Sequence, residues 1–298
     1  MPATSPFGRL ISAMVTPLHA DGSVDLDPMP PSASPRISWM PGTTDSSSTA
    51  RRGESPTTTD AEKADLVRAV VEAVGDRARV TAGTGTNDTA HTIELTRAAV
   101  AAGADGVLLV TPYYNKPPQA GIRAHFTAVA DAADVPVMLY DIPGRSGVPI
   151  TTESLIALSA HPAITAVKDA KGDLWAATEV MSATDLLWYA GDDAAALSHL
   201  TQGAHGLVGV TTQVAPTVYA DLFAALDAGD LASALATHRR LVPLVNAVMN
   251  LTQGAISAKA ALRELGILES ATVRLPLVEA TDDEVAALRA ALEGLDLL

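Results

Sequence analysis

Three segments of the chain carry side chains suited to carbonyl chemistry. In the first, Ile164-Thr165-Ala166-Val167-Lys168-Asp169-Ala170, a lysine stands near the C-terminal end of an apolar, β-branched run. Desolvation there disfavours the charged amine and lowers its pKa, favouring the form that attacks a carbonyl to make a Schiff base. The plainer alternative is a lysine whose methylenes line the strand end while its ammonium reaches water. In the second segment, Val137-Met138-Leu139 leads into Tyr140-Asp141-Ile142-Pro143-Gly144-Arg145-Ser146-Gly147. Tyr140 can pass protons through its phenol, and Arg145, on a loop shaped by Pro and Gly, can hold a carboxylate in a two-point fork. Each also has a structural reading, as a packed amphipathic ring and a solvated turn residue. The third segment, Thr111-Pro112-Tyr113-Tyr114-Asn115-Lys116-Pro117, sets tyrosine just beyond another apolar run, with a packed tyrosine pair as the alternative.

Other chemistries find less support. The chain has no cysteine, which excludes disulfides, thiolate zinc sites and cysteine nucleophiles, and its seven histidines show no metal-ligand spacing. Gly83-Thr84-Gly85 runs into Thr86-Asn87-Asp88, so no glycine-rich nucleotide fingerprint opens a helix. The Asp192-Asp193 pair reads as helix capping rather than as paired carboxylates, and Thr281-Asp282-Asp283-Glu284 reads as a helix start.

The three segments form one site only if the fold brings their strand ends together. Near-continuous apolar runs predict strands at Ile11–Pro17, Ala78–Gly85, Asp105–Pro112, Pro136–Ile142, Ile164–Ala170, Leu186–Asp192 and Gly206–Thr211. Helical patterns between them include Ala61–Val74, Asp88–Ala102, Gln119–Ala133, Asp193–Gln202 and Pro216–Ala228, with Asp60 and Asp88 as expected N-caps that lack a full capping box. Such alternation predicts crossover units and a parallel sheet. About forty residues separate the first strand from the first helix, room for a missing helix and a missing strand. Eight strands make a (β/α)8 TIM barrel the economical fold, over residues 1–230, with a helical C-terminal region over 231–298.

Composition bounds the partners. Of 298 residues 48% are hydrophobic, enough for a large core, and a net charge of −14 disfavours nucleic acid and anionic membrane surfaces. No stretch reads as a secretory leader or a membrane span, so a cytoplasmic setting with small-molecule partners is expected.

Five motifs, in order, now converge. They are Val15-Thr16-Pro17-Leu18-His19-Ala20-Asp21-Gly22-Ser23-Val24-Asp25, the Thr111–Pro117 loop, Leu139–Gly147, Val167–Asp173 around Lys168, and Gly191-Asp192-Asp193. Together they resemble the 4-hydroxy-tetrahydrodipicolinate (dihydrodipicolinate) synthase family of pyruvate-dependent class I aldolases, over nearly the whole chain except residues 28 to 52. The resemblance implies that Lys168 forms an imine with pyruvate and that Tyr140 moves protons. It implies that Tyr114 completes a tyrosine–threonine–tyrosine relay, usually reaching in from a neighbouring subunit. Arg145 would bind the carboxylate of aspartate semialdehyde, and Val208 would offer its backbone to pyruvate. A homotetramer in lysine and diaminopimelate synthesis follows from the same likeness. An imine is itself an electron sink, so neither metal nor organic cofactor is expected. A sugar-acid lyase or 2-keto-3-deoxy acid aldolase would keep Lys168 and Tyr140; a catalytically dead barrel is the alternative of another class.

One stretch departs from the rest. Residues 28 to 52 read PMPPSASPRISWMPGTTDSSSTARR, rich in Pro and Ser and without a 2.0 or 3.6 period. The family has a helix, a strand and a Gly-Thr-Thr-Gly-Glu-Ser loop there. Gly53-Glu54-Ser55 keeps the loop's end, while Arg51 and Arg52 occupy the threonine positions; Gly42-Thr43-Thr44 sits at the wrong distance and is a decoy. Codons for Met29 to Arg52 can be chosen so that reading one base earlier gives Asp-Ala-Ala-Val-Arg-Leu-Ala-Gln-Asp-Leu-Val-Asp-Ala-Gly-His-Asp-Gly-Leu-Val-Val-Asn-Gly-Thr-Thr. That text is an amphipathic helix, a turn, a buried strand and both threonines, which points to a compensated frameshift. The alternative is a natural Pro/Ser-rich lid. Taken literally, the segment is expected to cost the barrel its second strand, to place guanidinium charge beside Lys168, and so to fold poorly with little activity.

Overall fold

The computed structural model describes residues 5–26, 37–40 and 54–298, with backbone alone at 37–40 and 76. The apolar runs form strands β1 (Leu10–Ala13), β2 (Ile37–Met40), β3 (Thr81–Gly83), β4 (Gly106–Val110), β5 (Val137–Asp141), β6 (Ile164–Asp169), β7 (Leu187–Ala190) and β8 (Gly206–Gly209). All pair in parallel in one sheet, in the order β2-β1-β8-β7-β6-β5-β4-β3. Curled so that β2 comes back beside β3, the sheet is a (β/α)8 barrel, although no ladder joins those two strands among the described residues. The strands end one to four residues sooner than the apolar runs do, because the ladder stops while the chain is still turning, for the most part buried, into the loops.

The helices are α1 (Asp60–Val74), α2 (Thr89–Ala101), α3 (Gln119–Asp131), α4 (Pro143–Ser146), α5 (Thr152–Leu158), α6 (Leu174–Ala183), α7 (Ala196–Thr201), α8 (Pro216–Asp227), α9 (Leu231–Arg240), α10 (Val242–Asn250), α11 (Gly254–Glu264) and α12 (Asp282–Glu293). Strand side chains alternate between two cores. Met138, Tyr140, Ala166 and Val208 point into the barrel, while Val137, Leu139 and Val167 pack outward against the helical layer. Phe7 and Tyr189 fill the barrel interior edge to face, and the Tyr189 hydroxyl donates to the Gly8 carbonyl at 2.7 Å. The last four helices bury Leu244, Val248, Leu288 and Leu292 in one cluster with Leu10 and Leu207 of the barrel.

Three expectations change. The literal segment does supply a second strand: Ile37-Ser38-Trp39-Met40 pairs with β1 from Leu10↔Ile37 to Ala13↔Met40. Isoleucine and tryptophan suit a pleated backbone, and β1 offers an otherwise unpaired edge, so a short run suffices. The rest of the segment, including Gly42-Thr43-Thr44, Arg51 and Arg52, lies outside the described residues. Helix α1 is capped by Thr59 rather than Asp60: Thr59 Oγ1 accepts from the Glu62 N–H, and Glu62 accepts from the Thr59 N–H at 2.7 Å, a full capping box. Asp60 already lies in the helix and accepts from His91 Nε2 instead. Asp88 and Thr281 cap α2 and α12 as expected. Asp193 caps no helix in its own segment; α7 begins after Ala195 without a side-chain cap.

Candidate active site

Parallel strands in a barrel end at one mouth, so residues distant in sequence meet there. Strands β5 and β6 are neighbours, and their register sets Tyr140 opposite Lys168 and Asp141 opposite Asp169. The first pair faces inward and is fully enclosed, with Lys168 at 0% and Tyr140 at 1% exposure. The Lys168 Nζ stands 3.9 Å from the Tyr140 ring centroid, within cation–π range. Thr111, just past β4, pins the tyrosine from behind: its N–H and its hydroxyl both donate to the Tyr140 carbonyl, at 3.0 and 3.1 Å.

Val208, on β8, belongs to the same inner cluster as Tyr140. Arg145 lies on α4, the single turn that follows β5 and ends on Gly147 with φ +81°, a left-handed conformation that suits glycine. The Ser146 hydroxyl donates to the Ile142 carbonyl at 3.1 Å and fixes this turn on the rim, where Arg145 is half-buried. Tyr114 is the outlier. It is 89% exposed and holds a left-handed φ of 68°, so its own chain turns it away from the interior that encloses Lys168.

The outward partners of the inner pair are acidic. Asp141 accepts from the Ile150 N–H at 3.1 Å and faces Lys171 Nζ at 3.6 Å. Asp169 accepts from the Lys171 N–H at 2.7 Å. Burial pushes the Asp141 carboxyl up to about 7, against the opposing pull of Lys171. Simple alternation was the available signal: a carboxylate directly after each inward residue must lie outside the barrel wall.

Sequence reasoning also missed Asp193. Fully buried after β7, its Oδ1 accepts from the Thr211 N–H at 2.9 Å and the Thr211 hydroxyl at 2.6 Å, and both its oxygens accept from the Val210 N–H at 3.1 Å. The acidic dipeptide was visible, but its donors lie across a strand crossing. A further buried contact joins Glu54, beside the aberrant segment, to the C-terminal helices. Lys259 donates to Glu54 and to the Thr272 carbonyl, while the Arg274 N–H donates to Glu54 Oε1 at 2.5 Å. The Arg274 guanidinium grips Glu62 and holds its carboxyl down at about 2.

The chain is similar to known proteins over nearly its whole length. The model of the dihydrodipicolinate synthetase family matches residues 6–295. A protein of Kineococcus radiotolerans named 4-hydroxy-tetrahydrodipicolinate synthase is 56% identical, covering 97% of this chain and 94% of its own. A namesake from Acidothermus cellulolyticus is 53% identical, covering 96% and 91%. The crystal structure of the Cyanidioschyzon merolae synthase with lysine bound superposes with a TM-score of 0.90 at 38% identity, covering 98% of this chain and 99% of that one.

Proposed function

The chain belongs to the dihydrodipicolinate synthetase family, and on that premise we propose that it condenses pyruvate with L-aspartate 4-semialdehyde on Lys168, in lysine and diaminopimelate synthesis. The Lys168 amine adds to the pyruvate ketone and water leaves, giving an imine. Loss of a methyl proton turns the imine into an enamine, whose carbon attacks the aldehyde. The amino group of the bound semialdehyde then displaces Lys168, closing the ring and freeing the enzyme, so that one water is lost overall.

Tyr140 moves the protons, since its phenol belongs to the residue stacked on the amine. Arg145, on the rim of the same mouth, takes the carboxylate of the semialdehyde, and the Val208 backbone takes that of pyruvate. Tyr114 serves a neighbouring copy within a homotetramer; its exposure and strained backbone support a role outside its own chain. We place the activity in the cytoplasm; among the described residues no helix is long and apolar enough to cross a membrane.

The observation that carries this reading is the complete burial of Lys168 at the mouth, with its Nζ on the face of Tyr140. The test is borohydride reduction in the presence of pyruvate. An adduct is expected on the peptide containing Lys168, absent in Lys168→Ala; no adduct would overturn the reading. Comparing aspartate semialdehyde with sugar-derived aldehydes as acceptors then separates the synthase from a sugar-acid lyase.

A further inference from the structure

We propose that Asp193 is a positioning residue that sets the pyruvate-facing end of β8, an inference that rests on the role of Val208 given under Proposed function. The ladder between β7 and β8 pairs Tyr189 with Gly206 and Ala190 with Leu207, and stops there. Beyond that ladder, the Asp193 side chain joins the segment after β7 to the segment after β8. The Asp193 carboxylate receives the Val210 N–H, the Thr211 N–H and the Thr211 hydroxyl, and the Tyr219 hydroxyl lies 3.4 Å away behind it. Those two N–H groups open the helical turn Thr211–Gln213, where backbone donors have no partner within the turn. Asp193 satisfies them from across the strand crossing.

The fit leaves no slack at the residue next to Val208. A Cβ built on Gly209 would lie 2.7 Å from Asp193 Oδ1 and 2.6 Å from Thr212 Cγ2. Only glycine lets the strand end pass this close to the carboxylate. On the opposite side β8 is held to β1: Ser12 pairs with Gly209, and Gln213 Nε2 donates to the Ala13 carbonyl at 2.9 Å. The end of β8 is therefore held on both sides, by a backbone ladder to β1 and by the Asp193 carboxylate toward β7. Removing the carboxylate takes these bonds from one side and leaves the β1 ladder on the other, so the strand end shifts while the barrel persists.

The experiment reads the pyruvate concentration that gives half-maximal borohydride trapping on Lys168 in the full chain, separately from the final extent of trapping. Asp193→Ala is expected to raise the half-saturating concentration about tenfold or more, as misplacement of a binding group by a fraction of an ångström does. Gly209→Ala, which pushes the carboxylate aside, is expected to raise it similarly. Asp193→Asn keeps one acceptor oxygen and is expected to fall between Asp193→Ala and the parent chain. A merely structural role would lower the extent of trapping in proportion to folded protein and leave the half-saturating concentration where it was. That result in folded Asp193→Asn and Gly209→Ala overturns the proposal, even if Asp193→Ala fails to fold. Absence of trapping in the parent chain overturns the Lys168 reading and this inference together; trapping in the parent with unshifted variants overturns this inference alone.

Discussion

Lys168 and Tyr140 are register partners on adjacent strands, with the lysine Nζ 3.9 Å from the centroid of the tyrosine ring. The stacking needs only the ring, whereas proton transfer needs the phenol.

Tyr140→Phe therefore separates the two. It is expected to keep the melting temperature within a few degrees and to lower turnover by about 10²–10⁴-fold, the usual range for a lost general acid–base group. Tyr140→Ala also empties a fully buried site and is expected to destabilise by about 3–5 kcal/mol. Steady-state rates and denaturant curves on the pair of variants check both statements.

Two buried groups set opposing pH dependences of stability. Asp141 has its pKa raised from 3.8 to about 7 by burial, so between those values the folded chain holds a proton that the unfolded chain has lost, and stability falls as pH rises. His125, whose Nδ1 meets Thr89 Oγ1 at 2.9 Å, is lowered from 6.5 to about 4 by burial, so the unfolded chain binds the extra proton and stability rises with pH across that span. At 1.36 kcal/mol per unit the limits are about 4 and about 3 kcal/mol. Asp141→Asn is expected to leave a net rise between pH 4 and 6.5, and His125→Gln a net fall from pH 4 to 7. Urea unfolding at several pH values reads both; parallel curves for the three proteins would contradict the assignment.

The contact between Lys259 and Glu54 ties the C-terminal helices to the chain just after the aberrant segment, with both groups buried. Removing one partner leaves the other charge stranded. Lys259→Met is expected to cost about 3–5 kcal/mol, and Lys259→Met with Glu54→Gln less than the sum of the singles. Guanidinium unfolding midpoints give the comparison.

Replacing residues 29 to 52 by the peptide read one base earlier restores both threonines at the positions of Arg51 and Arg52. The restored chain is expected to melt higher, and to turn over pyruvate and aspartate semialdehyde on the order of 10²-fold faster, since a proton relay is regained. Equal turnover by the literal chain would count against the frameshift. Sequencing the gene from codon 25 to codon 56 decides its origin.

Alternation of apolar runs with helical patterns placed seven strands and the C-terminal helices correctly, because parallel strands buried on both faces leave a strong local record. It also put Lys168 and Tyr140 at strand ends, and Arg145 on the loop that follows the strand of Tyr140. Local pattern went wrong where partners are remote or where neighbours compete. Thr59 displaced Asp60 as a cap because Glu62 completes the box, and Ile37–Met40 became a strand because β1 has an edge to offer. That Tyr140 faces Lys168 was a matter of register, settled by how β5 lies against β6. That Asp193 serves β8 rather than its own helix was decided across a strand crossing, where the nearest unsatisfied N–H groups belong to Val210 and Thr211. The sequence by itself determined which residues could do the chemistry. Only the tertiary structure decided which of them meet, because register and burial are set by contacts between segments that no local spacing encodes.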